Sequence, residues 1–182
     1  MRRTLAATAL ALLYSSSLSA ATEPAIPPAY LSIAHEVGVP PRLLYAVALT
    51  ESALRFSTAA VQPWPWSLNV NGKTEYHASR ADAYRAIRRH LAAGRRSIDI
   101  GLMQVNWRWH RETLQDPWKA LDPYHNLRTG ARLLRDRYRE CGDWLTAAGR
   151  YHAPAATSRS QALAKTYRHH VAKQLAQLPG SG

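Results

Sequence analysis

Residues 41–52 read PRLLYAVALTES, and the reading of this stretch decides the fold. Pro41 suits the first position of a helix, where its missing N–H is one that a helix start leaves unpaired anyway. Leu43, Leu44, Val47 and Ala48 follow at helical spacing, and Leu54 extends the same face. The spacing therefore predicts a helix from Pro41, with Glu51 near its C-terminal end. Taken alone, the Glu51-Ser52 pair says little, because glutamate favours both helices and water.

Upstream, an apolar helical pattern runs from Ala29 to Val37 and is stopped by Gly38, Pro40 and Pro41. Downstream, the period changes. Trp64, Trp66, Leu68 and Val70 alternate, Asn71-Gly72 is a strong signal for a tight turn, and Lys73 to His77 reads as a return strand. The prolines around the tryptophans keep Trp64 and Trp66 at an edge or in a loop. Ser79 is placed as an N-cap with Asp82 three residues on. It opens a helix with Tyr84, Ile87 and Leu91 on one face and Gly94 as its stop. A short helix is expected near Trp107. An amphipathic one is expected over Asn126 to Glu140 through Leu127, Ala131, Leu134 and Tyr138. Two more follow, Asp143 to Tyr151 and Ser160 to Leu178, the last with Leu163, Tyr167, Val171 and Leu175 in register and Pro179-Gly180 ending it. The fold class expected is mainly α, within the α+β group: a compact helical domain with a two-stranded β-hairpin excursion around residues 64–77.

A length of 182 residues suits one domain. Met1-Arg2-Arg3, the apolar run Leu5 to Tyr14 and the small residues Ser19, Ala20 and Ala21 have the layout of a secretory signal peptide. That apolar run falls short of the roughly 20 residues a membrane-spanning helix needs. The expected organisation is a signal peptide over 1–21, a proline-containing leader over 22–28 and one domain over 29–178. The expected location is periplasmic, without a permanent membrane anchor.

Cys141 is the single cysteine, which excludes an intrachain disulfide, so an exported domain must rely on its core. Glu140 and Asp143 flank it, the opposite of the electropositive setting that activates a thiol, so Cys141 reads as a half-buried thiol at a helix end. The formal charge is +12, and +10 once Arg2 and Arg3 are removed with the signal segment. A polyanionic partner is implied: nucleic acid, anionic lipid, or peptidoglycan with its carboxylate-bearing stem peptides. Charge alone does not choose among them. His169 and His170 are adjacent and diverge on a helix, and no paired histidines with a nearby acid are present, so no metal site is expected. No glycine-rich phosphate loop occurs, and no cofactor is expected.

Three segments give Glu51-Ser52 its meaning: Gly101-Leu102-Met103-Gln104-Val105-Asn106, Asn126-Leu127-Arg128-Thr129-Gly130-Ala131, and Arg150-Tyr151-His152-Ala153. In this order and spacing the chain resembles the soluble lytic transglycosylase family, whose domain is related to goose-type lysozyme, over about residues 28–173. The resemblance implies a lysozyme-like fold and Glu51 as catalytic acid/base. Ser52, Met103, Gln104, Asn106 and Tyr151 are then substrate-binding residues of the cleft. His152 stands where the family usually has asparagine, so it enters only as a cleft-lining residue. The segment Trp64 to Gly72 and Asp99-Ile100 resemble a narrower branch that accompanies conjugation or secretion machineries. Trp66 is then either a glycan-stacking residue or a cap on the core.

The chemistry implied uses one carboxyl. Most glycosidases need two, one as acid and one as nucleophile or water-activating base. A lytic transglycosylase lets the substrate's own C6 hydroxyl attack the anomeric carbon, so Glu51 serves twice, and its pKa must be raised by an apolar setting. Met103 and nearby aromatic residues are expected to supply that wall. A hydrolytic muramidase on the same fold would need a second acid, for which Asp99 is the candidate, although a backbone-capping role beside Gly101 also fits it. The remaining alternative is a basic, non-enzymatic adaptor of a transfer complex. Partners expected are the glycan strands of peptidoglycan and components of a conjugation or secretion machinery, with no nucleic acid.

Overall fold

The computed structural model describes residues 26–55 and 61–178. The expected signal peptide, most of the leader and the Pro179-Gly180 stop lie outside the described residues. In chain order the elements are α1 (Pro28–Val37), α2 (Pro41–Ser52), β1 (Ala53–Arg55), β2 (Val61–Pro63), β3 (Ser67–Val70), β4 (Lys73–Tyr76) and α3 (Arg80–Ala92). They continue with β5 (Ile98–Ile100), β6 (Val105–Asn106), α4 (Trp107–Leu114), α5 (Pro117–Ala120), α6 (Pro123–Cys141), α7 (Trp144–His152) and α8 (Ser158–Gln177). The fold is mainly helical with small antiparallel sheets, the α+β class expected from the sequence.

Helix α2 is the axis of the molecule. Every residue from Leu43 to Leu49 is buried, as befits a helix that is apolar all round. It packs against α1 and α8, while α8 packs on α7, α7 on α6 and α6 on α1, which closes a ring of helices. Arg42, near the start of α2, donates to the carbonyls of Leu175 and Leu178 at 2.9 Å each and so satisfies groups that the end of α8 would leave unpaired. In α8, Tyr167 and Val171 face this core, but Leu163 is 49% exposed, against the register read from sequence. Leu163 lies beside the buried stripe of Ser160, Tyr167 and Val171 rather than on it.

Local chemistry fixes most helix starts. The Ser79 side chain accepts from the Asp82 N–H at 3.1 Å, as the sequence implied, and its hydroxyl donates to the Asp82 carboxylate at 2.6 Å. Helix α6 begins three residues earlier than its amphipathic pattern, because Asp122 caps it and Pro123 fills its first turn. The polar Tyr124 and His125 hide that turn from any reading of periodicity. The short α5, capped by Asp116, is hidden for the same reason.

The β structure is larger than a single hairpin. One antiparallel sheet has the order β4-β3-β5-β6, and a second pairs β1 with β2. The β3–β4 hairpin is as expected, with Asn71 and Gly72 both at positive φ in the two-residue loop. Strands β5 and β6 have three and two residues, too short to carry a period, and only their pairing (Leu68 opposite Ile100, Asp99 opposite Asn106) reveals them. Leu54 is not helical. The chain turns extended at Ala53 and enters β1. Trp64 and Trp66 lie between β2 and β3, packed edge to face with ring centroids 5.2 Å apart.

Candidate active site

Glu51 is the penultimate residue of α2, and its side chain is 12% exposed, at the wall of a cavity of about 360 Å³. Asp99, Gln104, Asn106, Tyr151 and His152 line the same cavity. The Tyr167 hydroxyl, from α8, donates to Glu51 Oε1 at 2.7 Å. The His152 ring stacks flat on the Tyr167 ring at 4.5 Å, with its Nδ1 4.0 Å from the same Oε1. Burial pushes the Glu51 carboxyl up to about 7; the Tyr167 hydrogen bond opposes this and the charge of Asp99 adds to it. The C-terminal end of a helix also disfavours an anion. A carboxyl so placed is about half protonated at neutral pH, and can give a proton and take one back.

The wall opposite α2 is a turn held from several sides. Gly101 has φ +79, and a Cβ there would come within 2.7 Å of the Asn126 side chain. Asn126 is 1% exposed and spends its amide on this turn. Its Nδ2 donates to the carbonyls of Ile100 (2.8 Å) and Ala120 (3.1 Å), and its Oδ1 accepts from the Met103 N–H at 3.0 Å. The Ser52 hydroxyl is shared between the carbonyls of Leu102 (2.8 Å) and Ala48 (3.1 Å), and Tyr151 donates to the Met103 carbonyl at 2.6 Å. Met103 itself lies in the core, and any Cβ on Gly130 would collide with its side chain. The Asn-x-x-x-Gly spacing on α6 thus gives one residue that clamps the turn and, one helical turn later, one that makes room for it.

The sequence-predicted residues therefore divide. Glu51, Gln104, Asn106, Tyr151 and His152 meet at the cavity. Gln104, at φ +45, spends its amide nitrogen on the Gly101 carbonyl (2.9 Å) and the Ser67 hydroxyl (3.1 Å), so it both lines and braces the turn. Asn106 Nδ2 donates to Asp99 Oδ1 at 2.7 Å. Burial raises the Asp99 carboxyl, and this hydrogen bond partly offsets it.

Ser52 and Met103 do not line the cleft. At 1% and 0% exposure they stand behind the turn, and Met103 packs in the core. Trp66 is not among the residues lining this cavity and packs, partly buried, on the core. Cys141 is the last residue of α6, half-buried, as expected. Among the described residues no group of three or more His, Cys, Asp or Glu is placed to hold a metal ion.

Tyr167, which holds Glu51 from outside the cavity lining, and several residues of the lining itself escaped the sequence reading. Tyr167 was legible only as a core position, yet a phenol 5% exposed must bring its hydroxyl to a partner, here Glu51. Asn69 and Thr74 come from the β3–β4 hairpin, Trp109 and His110 from α4, and Leu133 and Arg137 from α6. Only the tertiary fold brings these to Glu51, and the one signal in the sequence was Trp109, a tryptophan two residues after another.

The family model described as Transglycosylase SLT domain matches residues 30–173, from α1 almost to the end of α8. The chain is 37% identical over 100 residues to Protein virB1 of Agrobacterium fabrum (strain C58 / ATCC 33970). That match covers 55% of this chain but 38% of the relative's length. No solved structure matches the chain. The matched span holds the helix that ends on Glu51, the clamped turn and the Asn126 to Gly130 helix that clamps it: the chain belongs to the Transglycosylase SLT domain family.

Proposed function

We propose that the protein is a peptidoglycan lytic transglycosylase. It cleaves the β-1,4 bond between N-acetylmuramic acid and N-acetylglucosamine and leaves 1,6-anhydro-N-acetylmuramic acid ends, with Glu51 as its single general acid/base. The observation that carries this reading is Glu51 itself, a carboxyl raised to about 7 by burial, held on one oxygen by Tyr167 and open to the cavity on its other side.

In the first step protonated Glu51 gives its proton to the glycosidic oxygen as the bond to the anomeric carbon breaks. In the second the C6 hydroxyl oxygen of the same muramyl residue bonds to that carbon, and the Glu51 carboxylate takes the hydroxyl proton. The carboxyl is thereby restored and no water is consumed. Tyr167, donating to Oε1, stabilises the carboxylate between the steps and leaves Oε2 to carry the proton.

Hydrolysis by a muramidase is the second reading. Asp99 favours it, because it lines the same cavity and its charge is felt by Glu51. Against it, one Asp99 oxygen already accepts from Asn106. Mass spectrometry of muropeptides released from sacculi separates the two: anhydro ends support the transglycosylase, and reducing ends carrying an added water support the hydrolase.

Export through the signal-like segment at residues 1–21 would bring the enzyme to the wall in the periplasm, and no described helix is long and apolar enough to cross a membrane. A role in opening the wall for a conjugation or secretion apparatus is supported by the Trp64 to Gly72 segment and by the likeness to Protein virB1. Loss of transfer or secretion in a strain carrying Glu51→Gln, with transfer unaffected as the opposing outcome, tests that role.

A further inference from the structure

The cavity extends beyond the carboxyl to a wall built by α4 and α6, which pack against each other. Helix α4 is anchored by Trp107 and Leu114, both buried, whereas Trp109 between them is 72% exposed and faces the cavity. The Arg108 guanidinium lies over one side of the Trp109 ring, 4.9 Å from its centroid, and the indole is otherwise largely open to solvent. The helix departs from helical geometry at His110 (φ −126, ψ 19), which lets both Trp109 and His110 reach the cavity. Opposite, Leu133 packs on the core, and Arg137 stands one turn further along α6.

Charge distinguishes this wall. Among the described lining residues Arg137 is the one permanent cation. His110 and His152 are both held below the usual histidine range, chiefly by burial, and are neutral at pH 7. Arg137 contributes to the lowering at His110, so its positive potential is felt within the cavity. Glu140 accepts from one terminal nitrogen, Nη1, at 2.7 Å, which leaves the rest of the guanidinium's five N–H donors for another acceptor. An exposed aromatic ring and a cation lining one cavity, with Leu133 between them in the lining, match a sugar ring that carries an acidic side group.

We propose that Trp109 and Arg137 form a muramyl-recognition subsite, in which the indole stacks on a sugar ring and the guanidinium receives a carboxylate borne on the lactyl group of that sugar or of its neighbour. This rests on the glycan-cleaving reading of the same cavity. It adds that the enzyme distinguishes muramyl from glucosaminyl residues by charge. The carboxylate has two sources: the acidic groups of an attached stem peptide, or the free lactyl carboxylate of a strand whose peptides have been removed.

The test is a binding measurement on the Glu51→Gln background, which needs no turnover. Dissociation constants are compared for Glu51→Gln alone and with Arg137→Gln, Arg137→Lys or Trp109→Ala added. The ligands are intact sacculi, amidase-stripped sacculi, and chitohexaose, which has sugar rings but no carboxylate. Arg137→Gln should weaken binding about five- to tenfold on the strands that present the carboxylate it reads, with Arg137→Lys recovering part of the loss and chitohexaose binding unchanged. Trp109→Ala should weaken all three ligands.

An effect confined to intact sacculi assigns the stem peptide as the source, and one that appears only on stripped sacculi, where the lactyl carboxyl is no longer amide-bound, assigns the lactyl carboxylate. Equal binding with and without Arg137, or an equal loss on chitohexaose, overturns the proposal. Should Arg137→Gln lower the melting temperature, the parent protein still decides: its affinity for sacculi must fall with salt while that for chitohexaose does not. Absence of cleavage by the wild type, with Arg137-dependent binding intact, would sink the transglycosylase reading and leave this one standing.

Discussion

Replacing Tyr167 by phenylalanine removes one hydroxyl and keeps the ring on which His152 stacks. That hydroxyl donates to Glu51 Oε1 at 2.7 Å and is the main influence holding the carboxyl down against burial. A hydrogen bond to a charged group is worth about 1.5–3 kcal/mol, and one pH unit corresponds to about 1.4 kcal/mol. Tyr167→Phe should therefore raise the Glu51 pKa from about 7 by one to two pH units. The sign follows from which form the phenol favours: the donor stabilises the carboxylate, so its loss favours the acid. Initial rates of sacculus solubilisation, measured from pH 5 to 10, should show the alkaline limb displaced upward by that amount. The plateau should fall, since the carboxylate left after proton donation is less well stabilised. An alkaline limb that stays in place or moves to lower pH would refute the reasoning, whatever happens to the plateau.

Glu51 should also be a stability liability at alkaline pH. A carboxyl raised from 4.5 to about 7 favours the folded state below its unfolded pKa, and that advantage is lost as pH rises through 7. At about 1.4 kcal/mol per pH unit, Glu51→Gln should stabilise the protein by up to about 3 kcal/mol more at pH 8 than at pH 4, read as a melting-temperature difference that grows with pH. A difference independent of pH would contradict the raised carboxyl. Asn126→Ala deletes three buried hydrogen bonds of the turn and should cost about 3–5 kcal/mol in chemical denaturation, whereas a loss under 1 kcal/mol would mean the clamp is redundant. His152→Asn, which restores the residue usual in the family, should leave the rate at pH 7.5 nearly unchanged, because His152 is neutral there and its Nδ1 is 4.0 Å from Glu51. As pH falls through the lowered His152 range the variant should come to outperform the wild type, whose protonated ring would then favour the Glu51 carboxylate and weaken the acid. A rate ratio constant with pH would exclude that coupling.

Much of this was readable from the chain because α2 is apolar on every side and ends on Glu51, and because Pro, Ser, Asp and Asn mark helix starts by local chemistry. The hairpin was readable from Asn71-Gly72. Strands β5 and β6 were not, since two or three residues carry no period and exist only through their partners. Motif residues were found without their roles. Ser52, Met103 and Asn126 hold the turn from behind, while Asp99, Trp109 and Arg137, which line the cavity, and Tyr167, which reaches Glu51 from the core, come from four elements other than the one that carries Glu51. Tyr167 shows the limit most plainly: periodicity places its ring in the core, but only the packing of α8 on α2 says where its hydroxyl ends.

The most direct measurement is one digestion of purified sacculi by wild type and by Glu51→Gln, with the released muropeptides weighed by mass spectrometry. A single-carboxyl transglycosylase predicts products one water lighter than the reducing muropeptides for the wild type and none for the variant, which should remain folded. Reducing ends bearing the added water, or continued cleavage by Glu51→Gln, would contradict it.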